Sequence, residues 1–192
     1  MAREVAYGVD VQIVGFTPLM MHKMTIGQLQ PKANTPDTDY SEEWIKTCYT
    51  AADAQTLICP ASNLESMLIA VSAGKKIRKT PLNKLVSQLN FTEFEMPLIL
   101  DGKALTIDSV KKNNWIDIRG VVVQRNRVAR ARACIPAGWT VDFHIESRTA
   151  LISAEYLKSL FEEAGELVGL MDYRPQRKGK FGQFEVSKFE VV

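Results

Sequence analysis

The alternation of apolar and polar residues changes period several times along the chain. In "YGVDVQIVGFTPLMMH", Val9, Val11 and Ile13 alternate with Asp10 and Gln12, the period of a half-buried strand, before Gly15 and Pro18 end it. From Lys23 to about Asp39 the text is polar and proline-bearing with no helical period, which predicts a loop or insertion. "SEEWIKTCYTAA" predicts a short helix capped by Ser41, with Glu42 and Glu43 in its first turn. "ICPASNLESMLIAVSAGKKIRK" predicts a longer one. There Pro60 and Ser62 punctuate the start, Leu64, Met67, Leu68 and Val71 form the apolar stripe, and the cations after Gly74 suit the helix end.

Asp101-Gly102 between apolar runs signals a hairpin. "WIDIRGVVVQRNRVARARA" reads as one long strand, and "WTVDFHIESR" as another with Val141, Phe143 and Ile145 on one face. "SAEYLKSLFEEAGELVG" predicts a helix capped by Ser153 with a stripe of Leu157, Leu160, Phe161 and Ala164, and "KFGQFEVSKFEVV" a last strand. With insertions at about 20–56 and 80–112 set aside, the order is βαββαβ. This predicts an α+β, ferredoxin-like (RRM-like) domain over 1–192, its antiparallel sheet carrying two helices on one face.

Composition adds little until charge is mapped by position. The net charge is +2, from 24 basic and 22 acidic residues, but residues 111–148 hold 8 basic against 3 acidic. Arg119, Arg125, Arg127, Arg130 and Arg132 lie in a run, Ile118 to Val141, that contains no carboxylate. Positive potential is expected there unless an acidic residue from elsewhere folds over it. On an ideal strand Arg125 and Arg127 face one way and Arg130 and Arg132 the other, so a turn or bulge near Val128 is needed to gather all four. The bland alternative is a charged, aggregation-resistant edge strand.

The second basic stretch is "GLMDYRPQRKGKFGQFEV", Gly169 to Val186, where Arg174, Arg177, Lys178 and Lys180 sit among Gly179 and Gly182. Successive glycine N–H groups can cradle an oxyanion, and Tyr173 and Phe181, flanked by cations, can stack on bases. A solvated hairpin tip would use the same residues. Trp115 and Trp139 are further aromatic candidates, more suited to packing.

Cys48, Cys59 and Cys134 are scattered without C-x-x-C spacing, and with two histidines in the chain neither a zinc site nor a disulfide framework is expected. Asp37 and Asp39 lack neighbouring ligands, so no metal or other cofactor is expected. Without an apolar signal-peptide core or a stretch of roughly 20 apolar residues, a soluble cytoplasmic protein with no membrane partner is expected.

The opening strand into "GFTPLMMH", the helix start "ICPASNLESML" and the late glycine-rich segment together resemble the repeat-associated mysterious protein (RAMP) superfamily of CRISPR systems. In that family a strand ends near Gly-x-x-Pro-Leu, a helix begins with a Pro-x-Ser-x-Leu phrase, and a glycine-rich loop precedes the last strand. The family's loop usually opens Gly-x-Gly, whereas here Gly169 is followed two residues later by Met171, and an Arg-Pro pair is inserted before Gly179 and Gly182. Phrases such as "GLMDYRP" and "GKFGQFEV" are also similar to uncharacterised phage-type relatives. The resemblance implies RNA binding and assembly along the strand, as a homo-oligomer or within a ribonucleoprotein.

Together these features predict a non-catalytic protein that binds single-stranded RNA or DNA through the arginine strand and the glycine segment. Two alternatives stay open. One is a metal-independent endoribonuclease using His22 or His144, since the resemblance includes members with a catalytic histidine and an imidazole titrates near neutral pH. The other is a phage or host assembly protein whose basic face meets an acidic partner.

Overall fold

The computed structural model describes residues 5–24, 42–123 and 126–192, with the side chains of 121–128 left aside. In chain order its strands are β1 (Tyr7–Gly15), β2 (Leu19–Met20), β3 (Ile58–Pro60), β4 (Lys76–Ile77), β5 (Thr80–Pro81), β6 (Asn90–Phe91), β7 (Glu95–Pro97), β8 (Ile99–Leu100), β9 (Lys103–Ala104), β10 (Ile116–Val123), β11 (Asn126–Ile135), β12 (Thr140–Ser147) and β13 (Phe184–Val191). The helices are α1 (Glu43–Lys46), α2 (Ala61–Val71), α3 (Leu82–Val86), α4 (Ile107–Asn113) and α5 (Ala154–Leu167). The fold is α+β with antiparallel sheets.

The largest sheet runs β13-β1-β12-β8-β9, with β6 also paired to β12. Val9, Val11 and Ile13 face Ile145, Phe143 and Val141 in register, and all six are buried. Burial on one face of period-2 strands needs a cover, and the apolar stripes of the two longest helices supply it. Leu64, Met67, Leu68 and Val71 of α2 and Leu157, Leu160, Phe161 and Ala164 of α5 are buried in the same core, with Phe143 stacked 5.6 Å from Phe161 and 5.8 Å from Phe91. Ser153 caps α5 by accepting from the Tyr156 N–H at 3.2 Å.

The other face of this sheet is open and acidic. Register places Asp10, Gln12, Asp142, His144, Glu146, Lys188 and Glu190 together on it. It bears no Phe, Tyr or Trp among the described residues, so the aromatic platform with which open sheets of the RRM type hold single strands is missing.

The stretch expected as one long strand, "WIDIRGVVVQRNRVARARA", is instead a hairpin outside the largest sheet. β10 pairs antiparallel with β11 from Ile116↔Ala133 to Val123↔Asn126, and β11 continues onto β2 through Cys134↔Met20 and Ile135↔Leu19. The places beside β12 go to the short β6 and β8. Closing a hairpin between chain neighbours costs less loop entropy than carrying the segment to a distant sheet.

Smaller expectations changed too. α2 stops at Val71 with Ser72 as its C-cap, and Lys76–Ile77 and Thr80–Pro81 of "KKIRK" and its neighbours form a tiny hairpin after the left-handed Gly74 (φ +76°). α1 starts from Glu42 without a side-chain cap, and Ser41 lies outside the described residues. α4 had a readable start that composition hid. Thr106 and Ser109 form a reciprocal capping box, Thr106 Oγ1 accepting from Ser109 N–H at 3.1 Å and Ser109 Oγ from Thr106 N–H at 2.9 Å. The Asp101-Gly102 turn is as expected, both residues left-handed (φ 51° and 72°) between β8 and β9.

Candidate nucleic-acid interface

The glycine segment is pinned against the turn that ends β1, and most of its glycines are there for close approach. Gly182 N–H donates to Pro18 O at 2.8 Å, Gln183 N–H to Thr17 Oγ1 at 2.8 Å, and Asp172 N–H to Met20 O at 3.0 Å. The phrase "GFTPLMM" and the segment thus recognise each other's backbone. A Cβ on Gly182 would lie 2.1 Å from Leu170 O, and one on Gly179 1.6 Å from Tyr173 O. Gly15 admits Trp139, whose indole N–H donates to Thr17 O at 2.9 Å and is buried, so Trp139 is a packing residue.

This overturns the oxyanion cradle. Gly169, Gly179 and Gly182 donate their N–H groups to Ala164 O, Arg174 O and Pro18 O, so none is turned to a ligand. Met171 takes φ +58° with its side chain buried, and Tyr173 takes φ +53°. A left-handed backbone costs a non-glycine residue about 1 kcal/mol or more, here offset by the buried thioether at 171 and by ring contacts at 173.

The hairpin arginines meet carboxylates. Asp117 and Arg119 on β10 share a face with Arg130 and Arg132 on β11 through the pairs Asp117↔Arg132 and Arg119↔Arg130. Arg119 is held by both oxygens of Asp117 at 2.5 Å, which raises its already high pKa. Arg130 binds Glu43 of α1 at 2.7 Å, and the second Glu43 oxygen accepts from Ala131 N–H at 3.3 Å, covering the edge of β11 beyond β2. Arg132, 6% exposed, binds Asp172 of the glycine segment at 2.9 Å. The uncompensated potential expected over this stretch is therefore neutralised at these three positions. Arg125 and the Arg127 side chain lie outside the described residues.

Arg119 also joins the two basic stretches. Its guanidinium lies 5.2 Å from the Tyr173 ring centre and 5.1 Å from that of Phe181, while the two rings are 5.8 Å apart. A cation between two π faces, clamped by a carboxylate, fixes both aromatics against the hairpin. Tyr173 remains 42% exposed.

Beyond this stack the chain makes one 3-10 turn, Pro175–Arg177, closed by left-handed Lys178 (φ 63°). Arg174 is half-buried and spends its donors on Met171 O (2.7 Å) and Gln176 Oε1 (2.9 and 3.1 Å). Arg177, Lys178 and Lys180 are exposed and have no carboxylate partner among the described residues. The turn thus carries a rim of three unpaired cations beside an exposed aromatic.

His22 lies in the field of Asp172, Arg132, Arg130 and Glu43, and burial outweighs the carboxylates to lower its pKa. Its Nδ1 and the Nε of Arg132 are buried without a hydrogen-bond partner. His144 sits away from this cluster, its Nδ1 2.7 Å from Asp10 Oδ1 on the open face of the largest sheet. Trp115 is half-buried against the core. Burial pushes the thiols of Cys48 and Cys59 up to about 12 and that of Cys134 to about 11, so they are unreactive at neutral pH. Asp37 and Asp39 lie outside the described residues, among which no three His, Cys, Asp or Glu come together as metal ligands. No helix there is long and apolar enough to cross a membrane.

The sequence reading missed Asp117, Glu43 and Asp172 as charge partners. The first had a signal, since residues i and i+2 share a strand face; the others pair across the fold.

No family model matches the sequence and no curated protein matches it. Among solved structures, a chain in the cryo-EM structure of the Type III-B Cmr-beta complex bound to cognate target RNA is similar, with a TM-score of 0.54 at 14% identity. The match covers 97% of this chain and 60% of that one. The likeness is one of fold.

Proposed function

We propose that this chain is a non-catalytic, RAMP-like protein that binds single-stranded nucleic acid, RNA in the first instance, along the rim of Arg177, Lys178 and Lys180. The observation that carries the reading is the contrast in charge. These cations are exposed and unpaired beside Tyr173, while Arg119, Arg130 and Arg132 hold carboxylates. Flexible cations in water suit phosphates, and the outer side of Tyr173 suits an unpaired base. The fold likeness to a chain of an RNA-bound complex supports the choice of RNA. In this reading residues 1–192 form one ferredoxin-like domain with an insertion at about 20–56; the stretch expected as an insertion at about 80–112 instead supplies β6 and β8 beside β12, and the β10–β11 hairpin stands outside that sheet. Copies assemble along the strand or within a larger ribonucleoprotein.

Binding of labelled single-stranded RNA over a salt series tests it. Three phosphate contacts predict a slope of log K against log salt near about −2, at roughly 0.7 per contact. The Arg177→Ala/Lys178→Ala/Lys180→Ala variant is expected to lose most of that slope. Absent binding, or binding indifferent to salt, refutes the reading.

His22, whose Nδ1 has no hydrogen-bond partner and whose pKa is lowered by burial, favours a second reading, an endoribonuclease with His22 as general base. RNA cut in EDTA by the wild type and spared by His22→Ala would establish it.

A further inference from the structure

Two long strands among the described residues end their sheets with one side unpaired, β13 in the largest sheet and β10 in the order β10-β11-β2. A free edge offers a row of backbone donors and acceptors to another strand, and proteins blunt such rows with bulges and edge lysines. β13 carries both devices, a register shift opposite Gln12 and Ile13 and the exposed Lys188. β10 carries neither. Its register with β11 runs unbroken from Ile116↔Ala133 to Val123↔Asn126, and no backbone hydrogen bond from another described segment reaches its outer edge.

The side chains of β10 suit a partner strand as well. Ile118 is 64% exposed in mid-strand. The charges on either side of it, Asp117 and Arg119, are paired with each other rather than left to repel an incoming strand. The sequence of the strand, "IDIRGVVV", is rich in β-branched residues.

We infer that β10 pairs antiparallel with β10 of a second copy about a two-fold axis at Ile118, joining the two hairpins into one continuous sheet. Charge selects the partner and the register. A two-fold axis normal to the sheet keeps each face on its own side, and opposite residues share a face, so the axis falls on a residue and not between two. An axis at Asp117 or Arg119 would set like charges opposite each other. An axis at Gly120 would set both charges opposite valines. At Ile118 it sets Asp117 of each copy opposite Arg119 of the other, so that two ion pairs become a ring of four alternating charges. On the other face Ile118 meets its own copy, and each Ile116 lies opposite Gly120, which leaves it room. The contact needs no nucleic acid, and it goes beyond the strand-binding reading without depending on it.

Sedimentation velocity on the full chain, freed of nucleic acid, over a protein concentration series tests it. The wild type is expected to pass from one-chain to two-chain mass as concentration rises. Ile118→Lys sets two ammonium groups opposite each other and is expected to weaken the association by about tenfold or more. Its side chain is exposed, so the variant is expected to fold. Ile118→Cys gives a second measurement. Opposite residues of an antiparallel pair have Cα atoms about 4.5–5.5 Å apart, within disulfide range, so mild oxidation should link two chains. Leu167→Cys, 62% exposed on α5, should stay unlinked. A one-chain mass at every concentration overturns the proposal, as does a dimer that Ile118→Lys leaves unchanged or that Ile118→Cys fails to link. RNA binding over the salt series is read separately, so a one-chain protein that binds RNA overturns the dimer alone.

Discussion

In the β10–β11 hairpin, Arg119, Arg130 and Arg132 each hold a carboxylate within 2.9 Å, whereas Arg177, Lys178 and Lys180 of the glycine segment stand in solvent without one. Burial separates the two groups. The Arg132 and Arg130 side chains are 8% and 15% exposed, where an unpaired cation would cost several kcal/mol, so the fold brings Asp172 and Glu43 to them. Water solvates the exposed cations at no such cost. A carboxylate-free run of arginines is thus a poor guide to surface potential when the strand bearing it is covered.

The sharpest way to break the contrast is to unseat the glycine segment. Gly179→Ala sets a Cβ against Tyr173 O and is expected to cost about 3 kcal/mol or more in urea unfolding. Gly74→Ala meets nothing within 4 Å and loses only the positive φ, about 1 kcal/mol. If the two variants prove equally stable, close approach is not why Gly179 is glycine.

Removing a buried partner comes next. Asp172→Asn leaves Arg132 without its carboxylate, and a destabilisation of about 2–4 kcal/mol is expected by the same measurement. RNA affinity per folded molecule should not rise, because Arg132 stays buried; a rise would place the hairpin arginines on the ligand.

Arg119→Lys keeps the charge but loses the planar fork on Asp117 and the stack on Tyr173 and Phe181, costing about 1–2 kcal/mol. It should also loosen Tyr173, seen as changed ring shifts in NMR spectra.

His22 adds a pH dependence of known sign. Burial lowers its native pKa below the unfolded value, so its contribution to stability is full above about pH 6.5 and is lost as the pH falls through the lowered native value. Urea midpoints measured from pH 7 to 5 should fall in the wild type and fall less in His22→Gln.

The smallest stability effects belong to the rim. Arg177→Ala, Lys178→Ala and Lys180→Ala should each stay within about 0.5 kcal/mol of wild type, while each lowers the salt slope of RNA binding by about 0.7. A single variant that changed stability but not the slope would move that cation from the ligand side of the contrast to the structural side.

Local order was legible without the structure. The period-2 pattern of Val9, Val11 and Ile13, the helical stripes of α2 and α5, the Ser153 cap and the Asp101-Gly102 turn all act between chain neighbours, and all stand where the pattern put them. That Tyr173 and Phe181 lie among cations was visible, but that the two rings pair with each other and with Arg119 came only from the fold. Which strand joins which sheet was not legible, because residues 116–135 pair equally well with themselves or with a distant strand as far as alternation is concerned, and loop entropy with β2 as a partner decided for the hairpin. The glycines were visible as glycines, but whether their N–H groups turn to a ligand or inward depends on Pro18 and Tyr173 arriving beside them. Charge pairing was the least legible. Glu43 lies 87 residues from Arg130, and no spacing rule reaches that far, so only folding could decide which cations were neutralised and which were left for a partner.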